Sequence, residues 1–210
     1  MIKTTDVIRC EDMSCGDVNH ERYAIPDVKI DAQRVTIIMI SESAPLSRSD
    51  YYYAGGDSLF EKTTVQAFKD AGVAVSSIAD IMKLGVYLTT AVKCGKTSHG
   101  IEANSIKKCS FLLEKELAVF PNVKALMLMG DVAIRAVNEI ARRAGEGRVI
   151  PAGSTYKIRG QKYHFRSARA FPSYLQAGPS FFIEKSKRRM IAADIAEALR
   201  LVAAGPSELG

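Results

Sequence analysis

Short apolar runs alternate with longer amphipathic stretches along most of this chain. Three runs of aliphatic and β-branched residues predict strands that are buried on both faces; they span 35–40, 86–92 and 125–129. Apolar residues at helical spacing, with capping residues at the ends, predict helices; these span about 57–71, 78–84, 106–120, 131–143 and 181–203. A hairpin over 156–165 and a strand leading into Phe171-Pro172-Ser173 complete the pattern.

The alternation of strands and helices indicates the fold class. Strands separated by helices pair in parallel and are covered by helices on both faces. We therefore predict a single α/β domain over residues 1–210, a three-layer α/β/α sandwich with a central, mainly parallel sheet and a disordered tail over 204–210. Ligands of such folds bind beyond the carboxyl ends of the strands. Each predicted strand here ends in a polar or glycine-bearing loop: 41–45, 90–94, 130–131 and 171–175.

Composition and charge narrow the class of protein only modestly. The 210 residues are 47% hydrophobic and no apolar run approaches the length of a membrane span, so we expect a soluble protein without a membrane partner. The first residues, MIKTTDVIRCED, contain no apolar core of a secretory signal, which favours a cytoplasmic protein. The net charge of +6 favours a polyanionic partner such as nucleic acid, although a basic surface without a specific partner fits as well.

Four cysteines carry the clearest candidate chemistry. They form two local pairs, C-x4-C and C-x14-C, and are Cys10, Cys15, Cys94 and Cys109. Pairs so far apart predict one site that joins the N-terminal segment to the centre of the fold, and four thiolates can hold zinc or an iron–sulfur cluster. The wide spacing favours a cluster, zinc is the alternative, and plain buried thiols or disulfides stay open. His20 and His99 are further candidates that could each replace a cysteine.

Three segments in the middle of the chain together match the motifs of one known family; they are 87–94 (YLTTAVKC), 106–112 (IKKCSFL) and 125–130 (ALMLMG). They resemble the uracil-DNA glycosylase superfamily, most closely its iron–sulfur branch, often called family 4. The resemblance extends from about residue 10 to residue 195. It implies that the four cysteines ligate a structural [4Fe–4S] cluster, although the N-terminal pair is C-x4-C where C-x2-C is usual.

The resemblance also implies an active site that excises a base from DNA. Glu42 stands in the family's first motif and is implied as the catalytic residue, which orients water or stabilises positive charge on the sugar. A carboxylate that caps backbone amides is the alternative for this residue. Tyr53 is implied to stack on the extruded base, or else covers a core edge. Thr90 and Phe171 occupy the family's base-binding positions.

The loop after the last strand is implied to contact DNA. Ser173 is the candidate phosphate contact, and Leu175 is the candidate wedge that fills the gap left by a flipped nucleotide. Arg166 and Arg169 are expected nearby, where they would neutralise phosphates. A strand-to-helix turn with a buried leucine is the alternative. The implied partner is DNA with a flipped or single-stranded base, bound by a monomer.

Two positions depart from the family's pattern. The asparagine that reads the edge of the base falls at Thr90, and the histidine that stabilises the departing base falls at Phe171. Threonine lacks the paired donor and acceptor of an amide, and phenylalanine offers no hydrogen-bond donor. The expectation is thus a DNA glycosylase for uracil or another deaminated base, with an atypical base preference. A non-catalytic nucleic-acid-binding protein and a redox or electron-transfer protein on the same fold are the alternatives.

Overall fold

The computed structural model describes residues 1–97 and 100–204, and of Ile2 it describes the backbone alone. This part of the chain contains eight strands. They are β1 (Ile2–Lys3), β2 (Val18–Asn19), β3 (Lys29–Ile30), β4 (Ile37–Ala44), β5 (Val86–Lys96), β6 (Ala125–Met129), β7 (Tyr163–Phe165) and β8 (Ala168–Ser173). Six of them form one sheet in the order β2-β5-β4-β6-β8-β7, while β1 and β3 form a separate antiparallel ribbon. His99 and the predicted tail beyond residue 204 lie outside the described residues.

Helices cover both faces of this sheet. They are α1 (Leu59–Asp70), α2 (Ile78–Lys83), α3 (Ala103–Leu117), α4 (Asp131–Arg143), α5 (Thr155–Ile158), α6 (Ser180–Ile183) and α7 (Lys185–Ala203). The apolar faces of α3 and α4 share one core layer, and those of α1, α2 and α7 share the other. This arrangement confirms the predicted α/β/α sandwich. No helix in the described part of the chain is long and apolar enough to cross a membrane.

The four inner strands run parallel, and β4 lies at their centre. Ile37 of β4 pairs with Val86 of β5 on one side and with Ala125 of β6 on the other. β8 continues the parallel sheet beside β6, whereas the edge strands β2 and β7 are antiparallel. Residues 37–40 are at most 1% exposed, because helices cover both faces of β4. The carboxyl ends of β4, β5, β6 and β8 therefore lie together at one edge of the sheet.

A fully buried polar network joins β5 to α3. The Lys93 ammonium lies 2.5 Å from Glu116 Oε2, and neither side chain has exposed surface. Lys93 also donates to Thr89 Oγ1 at 2.8 Å and to the Thr90 carbonyl at 2.5 Å. The Tyr87 and Thr89 hydroxyls donate to Glu116 Oε1 at 2.7 Å and 2.8 Å. Because both charges are paired and hydrogen-bonded, their burial is tolerated, and loss of either one leaves the other uncompensated.

Two predicted elements differ in the structure. The hairpin predicted over 156–165 is wrong, because its first part forms the one-turn helix α5, with Tyr156 72% exposed and Ile158 7% exposed. One buried residue anchors a turn but does not supply the alternating face that a strand pair needs. β7 pairs instead with β8 through a turn at Arg166, whose φ is 53°. The helix predicted over 181–203 is interrupted at Glu184 (φ −92°, ψ 73°), which separates α6 from α7.

Candidate functional site

A cavity of about 550 Å³ opens at the carboxyl ends of β4 and β5. Its walls are mostly apolar and include Phe60 and Leu175, and its ionisable groups are Glu42, Asp50 and Lys96. Glu42 lies near the end of β4 and Lys96 is the last residue of β5, so two central strands bring them to the same cavity. A mostly apolar cavity with few polar groups, at this edge of a parallel sheet, is the expected position of a ligand site.

Glu42 is held against the first turn of α4. A Cβ at Gly130 would lie 2.6 Å from Glu42 Oε1 and 2.8 Å from its Cγ, so glycine alone leaves room for this side chain. The Glu42 carboxyl accepts hydrogen bonds from the N–H groups of Asp131 and Val132, at the positive end of the helix dipole. Burial raises the pKa of Glu42 above its usual value, while the Lys96 ammonium and the two amides lower it. Glu42 therefore caps backbone amides and lines the cavity at once.

An irregularity in β5 sets the direction of three neighbouring side chains. The register of β4 against β5 shifts between Ser43 and Ala44, so Lys93 and Cys94 have no direct partner in β4. Bulges of this kind re-aim side chains and are frequent beside active sites. The Lys93 side chain enters the buried network, Cys94 turns toward the other thiols, and Lys96 reaches the cavity. One short stretch of β5 therefore joins the core, the thiols and the cavity.

The four cysteines that the sequence predicts to form one site are close enough to influence one another. Cys94 and Cys109 are 3% and 7% exposed, Cys10 and Cys15 are half-buried, and all four are free thiols. Cys10, Cys15 and Cys109 line a second cavity of about 230 Å³. Burial, and to a smaller extent the other three thiols, raise the pKa of Cys94 to about 12. The predicted convergence of the N-terminal pair on the central pair is thus present, and the disulfide alternative is not formed.

Two ring side chains complete the surroundings of the thiols. His20 Nδ1 lies 3.4 Å from Cys94 Sγ, and its Nε2 lies 2.9 Å from the Cys15 carbonyl oxygen. The Tyr23 hydroxyl accepts a hydrogen bond from the Cys10 N–H at 3.2 Å. Within residues 1–97 and 100–204, no three His, Cys, Asp or Glu side chains are arranged to hold a metal ion. The chemistry of the donor set, four neighbouring thiols of which three line one cavity, nevertheless fits a thiolate-bound metal group.

The last residue of β8 lies in the core, and the loop after β8 contributes a residue to the cavity that contains Glu42. Leu175 is half-buried and lines the cavity beside Glu42. Ser173 has no exposed surface, and its hydroxyl donates to Asp194 Oδ2 at 2.5 Å. Arg159 also binds that carboxylate, with its Nη2 2.5 Å from Oδ1. In this conformation Ser173 anchors the loop to α7, and its contact with a phosphate stays a prediction that requires the hydroxyl to become accessible.

The three predicted base-binding residues are absent from the lining of this cavity. The Tyr53 hydroxyl donates to the Leu88 carbonyl and accepts from the Leu88 N–H, both at 3.0 Å, on the side of β5 away from β4. Phe171 is 3% exposed, and the Arg169 guanidinium lies 4.4 Å from its ring centroid. Thr90 is fully buried, and its hydroxyl has no hydrogen-bond partner among the described residues. Their contact with a base stays a prediction.

Of the two arginines expected beside Ser173, Arg166 lies elsewhere, which corrects its predicted neighbourhood, whereas the phosphate contact of Arg169 stays a prediction. Arg166 is in the turn before β8, and its Nη2 lies 2.7 Å from Glu114 Oε1. β8 runs about 17 Å from its first residue to Ser173 at ~3.3 Å per residue, so Arg166 lies at the opposite edge of the sheet. Arg169 is paired with Glu197 at 2.6 Å, and its side chain is 13% exposed. Sequence proximity misled the prediction because an extended strand separates its two ends by its full length.

Two residues of the site were missed in the sequence. Gly130 has φ 99° and ψ 168°, a conformation that essentially only glycine adopts. Its position between a strand and a helix is the signal that could have identified it. Lys96 follows Cys94 by two residues and carries no such signal, because the register shift that directs it into the cavity is a property of the paired strands.

Comparison with known proteins gives a family for this fold and cavity. The family model described as the uracil DNA glycosylase superfamily matches residues 30–195, well over half of the chain. The matched segment includes Glu42, Cys94, Cys109 and Leu175, whereas Cys10 and Cys15 precede it, so the match does not extend to the iron–sulfur branch. None of the curated proteins shows a significant match to the chain. Because the family model covers the four parallel strands and the cavity, the chain belongs to the uracil-DNA glycosylase superfamily.

Proposed function

We propose that this protein is a DNA glycosylase that hydrolyses the N-glycosidic bond of uracil or another deaminated base in DNA. The observation that carries the proposal is the placement of Glu42, a carboxylate fixed at the first turn of α4 and facing a largely apolar cavity at the carboxyl edge of the sheet. Membership of the superfamily supports the same activity. The proposed substrate is a flipped or single-stranded nucleotide, because a base inside a duplex cannot enter such a cavity.

Glu42 would serve the reaction in two ways. Breaking the glycosidic bond builds positive charge on the sugar, which a nearby carboxylate stabilises. The same carboxylate orients a water molecule toward C1′ and accepts its proton. The amides of Asp131 and Val132 hold the carboxyl in place, so little reorganisation is needed as the charge develops. Phe60 and Leu175 form apolar walls against which the extruded nucleotide would pack.

The thiol site is proposed to hold a [4Fe–4S] cluster on Cys10, Cys15, Cys94 and Cys109, with zinc as the alternative. The support is the convergence of two buried and two half-buried thiols, of which Cys10, Cys15 and Cys109 line one cavity. When bound, such a group supplies a cross-link that joins the N-terminal segment to β5 and α3. Metal analysis of anaerobically purified protein distinguishes the cases, because a cluster gives about four iron and four sulfide per chain and zinc gives about one metal ion. Metal-free protein with an intact fold would contradict both.

The test of the proposed activity is base release from oligonucleotides that contain uracil, hypoxanthine or xanthine, in single and double strands. Glu42→Gln keeps the size of the side chain and one acceptor oxygen but removes its charge. We expect it to lower the rate of release about 100- to 1000-fold. Glu146→Gln, at an exposed position in the loop after α4, is the matched control and should leave the rate unchanged. Release that is unaffected by Glu42→Gln would refute the role of this residue.

A nucleic-acid-binding protein without hydrolysis is the second candidate. The observation that favours it is the burial of Phe171 in the core, where the family places a catalytic histidine. This alternative predicts tight binding of a deaminated oligonucleotide with no release of the base by metal-loaded protein. Binding that weakens in Leu175→Ala while no base is released would support it over the glycosylase.

A further inference from the structure

The departing base needs a positively charged or hydrogen-bonding partner, and this need rests on the proposed glycosylase activity. When a glycosidic bond breaks, its electron pair leaves with the base, so negative charge accumulates on the ring. Phe171 stands where a donor is expected, but it is 3% exposed and has no polar atom in its side chain. Tyr53 directs its hydroxyl at the Leu88 backbone. Neither residue lines the cavity that contains Glu42.

Lys96 is the cationic side chain of that cavity. Among the described residues that line it, the other ionisable groups are the carboxyls of Glu42 and Asp50. Asp50 accepts a hydrogen bond from the Leu59 N–H at 3.3 Å, at the start of α1. Within residues 1–97 and 100–204, the Lys96 ammonium forms no ion pair or hydrogen bond, and its positive charge lowers the pKa of Glu42. Lys96 therefore places a positive charge at the wall of the cavity.

The backbone around Lys96 is held from several sides. Lys96 ends β5 and pairs with Val18 of β2, so it lies in a sheet rather than in a loop. Just before it, a Cβ at Gly95 would lie 3.0 Å from the Pro45 carbonyl and 3.0 Å from Arg22 Cβ, which shows how closely the chain is packed there. The packed backbone therefore fixes the point from which the Lys96 side chain extends to the cavity.

We propose that Lys96 is a further catalytic residue, whose ammonium contacts the departing base and stabilises its negative charge. In this reaction the C1′–N bond breaks and its electrons leave with the base beside Lys96. The water oxygen bonds to C1′, and the water proton passes to Glu42. Glu42 then returns that proton to the base, so that the products are the abasic sugar and the neutral base. Lys96 thereby takes the place of the missing donor at Phe171.

The test varies the charge on Lys96 and the stability of the base anion together. Single-turnover release is measured from oligonucleotides that contain uracil or 5-fluorouracil, whose fluorine stabilises the anion without help from the protein. We expect Lys96→Met to slow uracil release about 100-fold and 5-fluorouracil release by about tenfold or less. Lys96→Arg keeps the charge and should retain release within about tenfold of the original rate for both bases. Lys115→Met, at an exposed position of α3, is the control and should change neither rate.

The outcomes separate this inference from the proposed function. Equal losses for the two bases in Lys96→Met, or no loss, would overturn the role of Lys96 while leaving the glycosylase intact. Absence of release from every substrate by the original protein would overturn both. Thermal unfolding and metal content are compared for all variants, and Lys96→Gln, which also removes the charge, replaces Lys96→Met if that variant folds poorly. Selective loss with uracil, in a variant that unfolds at the original temperature, is the result that supports the proposal.

Discussion

Gly130→Ala tests whether the close contact between Gly130 and Glu42 holds the catalytic carboxylate in position. The added methyl group would stand 2.6 Å from Glu42 Oε1 and 2.9 Å from its Cδ, well inside normal contact distance. The backbone at this residue, with φ 99° and ψ 168°, cannot relax easily, because its N–H donates to the Ser173 carbonyl at 3.0 Å. Glu42 must therefore move away from the first turn of α4.

The expected loss of stability has two parts. A side chain at this backbone conformation costs about 1–3 kcal/mol by itself. Displacement of Glu42 breaks its hydrogen bonds to the amides of Asp131 and Val132, which adds about 1–3 kcal/mol. We therefore expect Gly130→Ala to lower the free energy of unfolding by about 2–6 kcal/mol. A shift of the carboxylate by about 1 Å should also slow base release about 100-fold.

Urea unfolding and base release, measured on matched variants, separate the two parts. Gly145 also has a positive φ, 76°, but nothing lies within 4 Å of its added Cβ, so Gly145→Ala reports the backbone cost alone. Gly130→Ala is measured again in a Glu42→Ala background, where the clash is absent and only the backbone cost at Gly130 should remain. The reasoning fails if Gly130→Ala costs no more than Gly145→Ala, or if removing Glu42 brings no relief.

Two further predictions concern buried charges. Lys93→Met leaves the Glu116 charge uncompensated and should lower the free energy of unfolding by about 3–5 kcal/mol, whereas addition of Glu116→Gln should recover part of this loss. Urea midpoints of the single and double variants measure this. Additive losses of stability in the double variant would contradict the prediction. Because burial raises the pKa of Glu42, the folded protein keeps that proton to a higher pH than the unfolded chain does. The stability contribution of Glu42 should therefore fall as pH rises from about 4.3 through the raised pKa, and base release should rise over the same range. Unfolding and rate profiles of Glu42→Gln, compared with the original protein, measure both, and parallel profiles would refute the prediction.

Much of the fold could be predicted because it depends on local patterns. β6 and α4 have the predicted bounds, 125–129 and 131–143, since an apolar run and a helical repeat are separated by one glycine. The hairpin over 156–165 could not be predicted correctly, because β7 takes its partner from β8, which follows it in the chain, and not from the residues that precede it. Local propensity is overridden there by a pairing that the segment itself does not encode.

The sequence by itself determined the α/β class, the carboxyl-edge position of Glu42 and Leu175 and the grouping of the four cysteines. These follow from alternation, from strand ends and from residue types that are rare enough to be informative. Only the tertiary structure decided the surroundings of each side chain. The Ser173 hydroxyl is bound to Asp194, and β8 separates Arg166 from Ser173 by the full length of the strand. A register shift between paired strands directs Lys96 into the cavity. Such contacts join residues far apart in the chain, and their geometry exists only once the layers have packed.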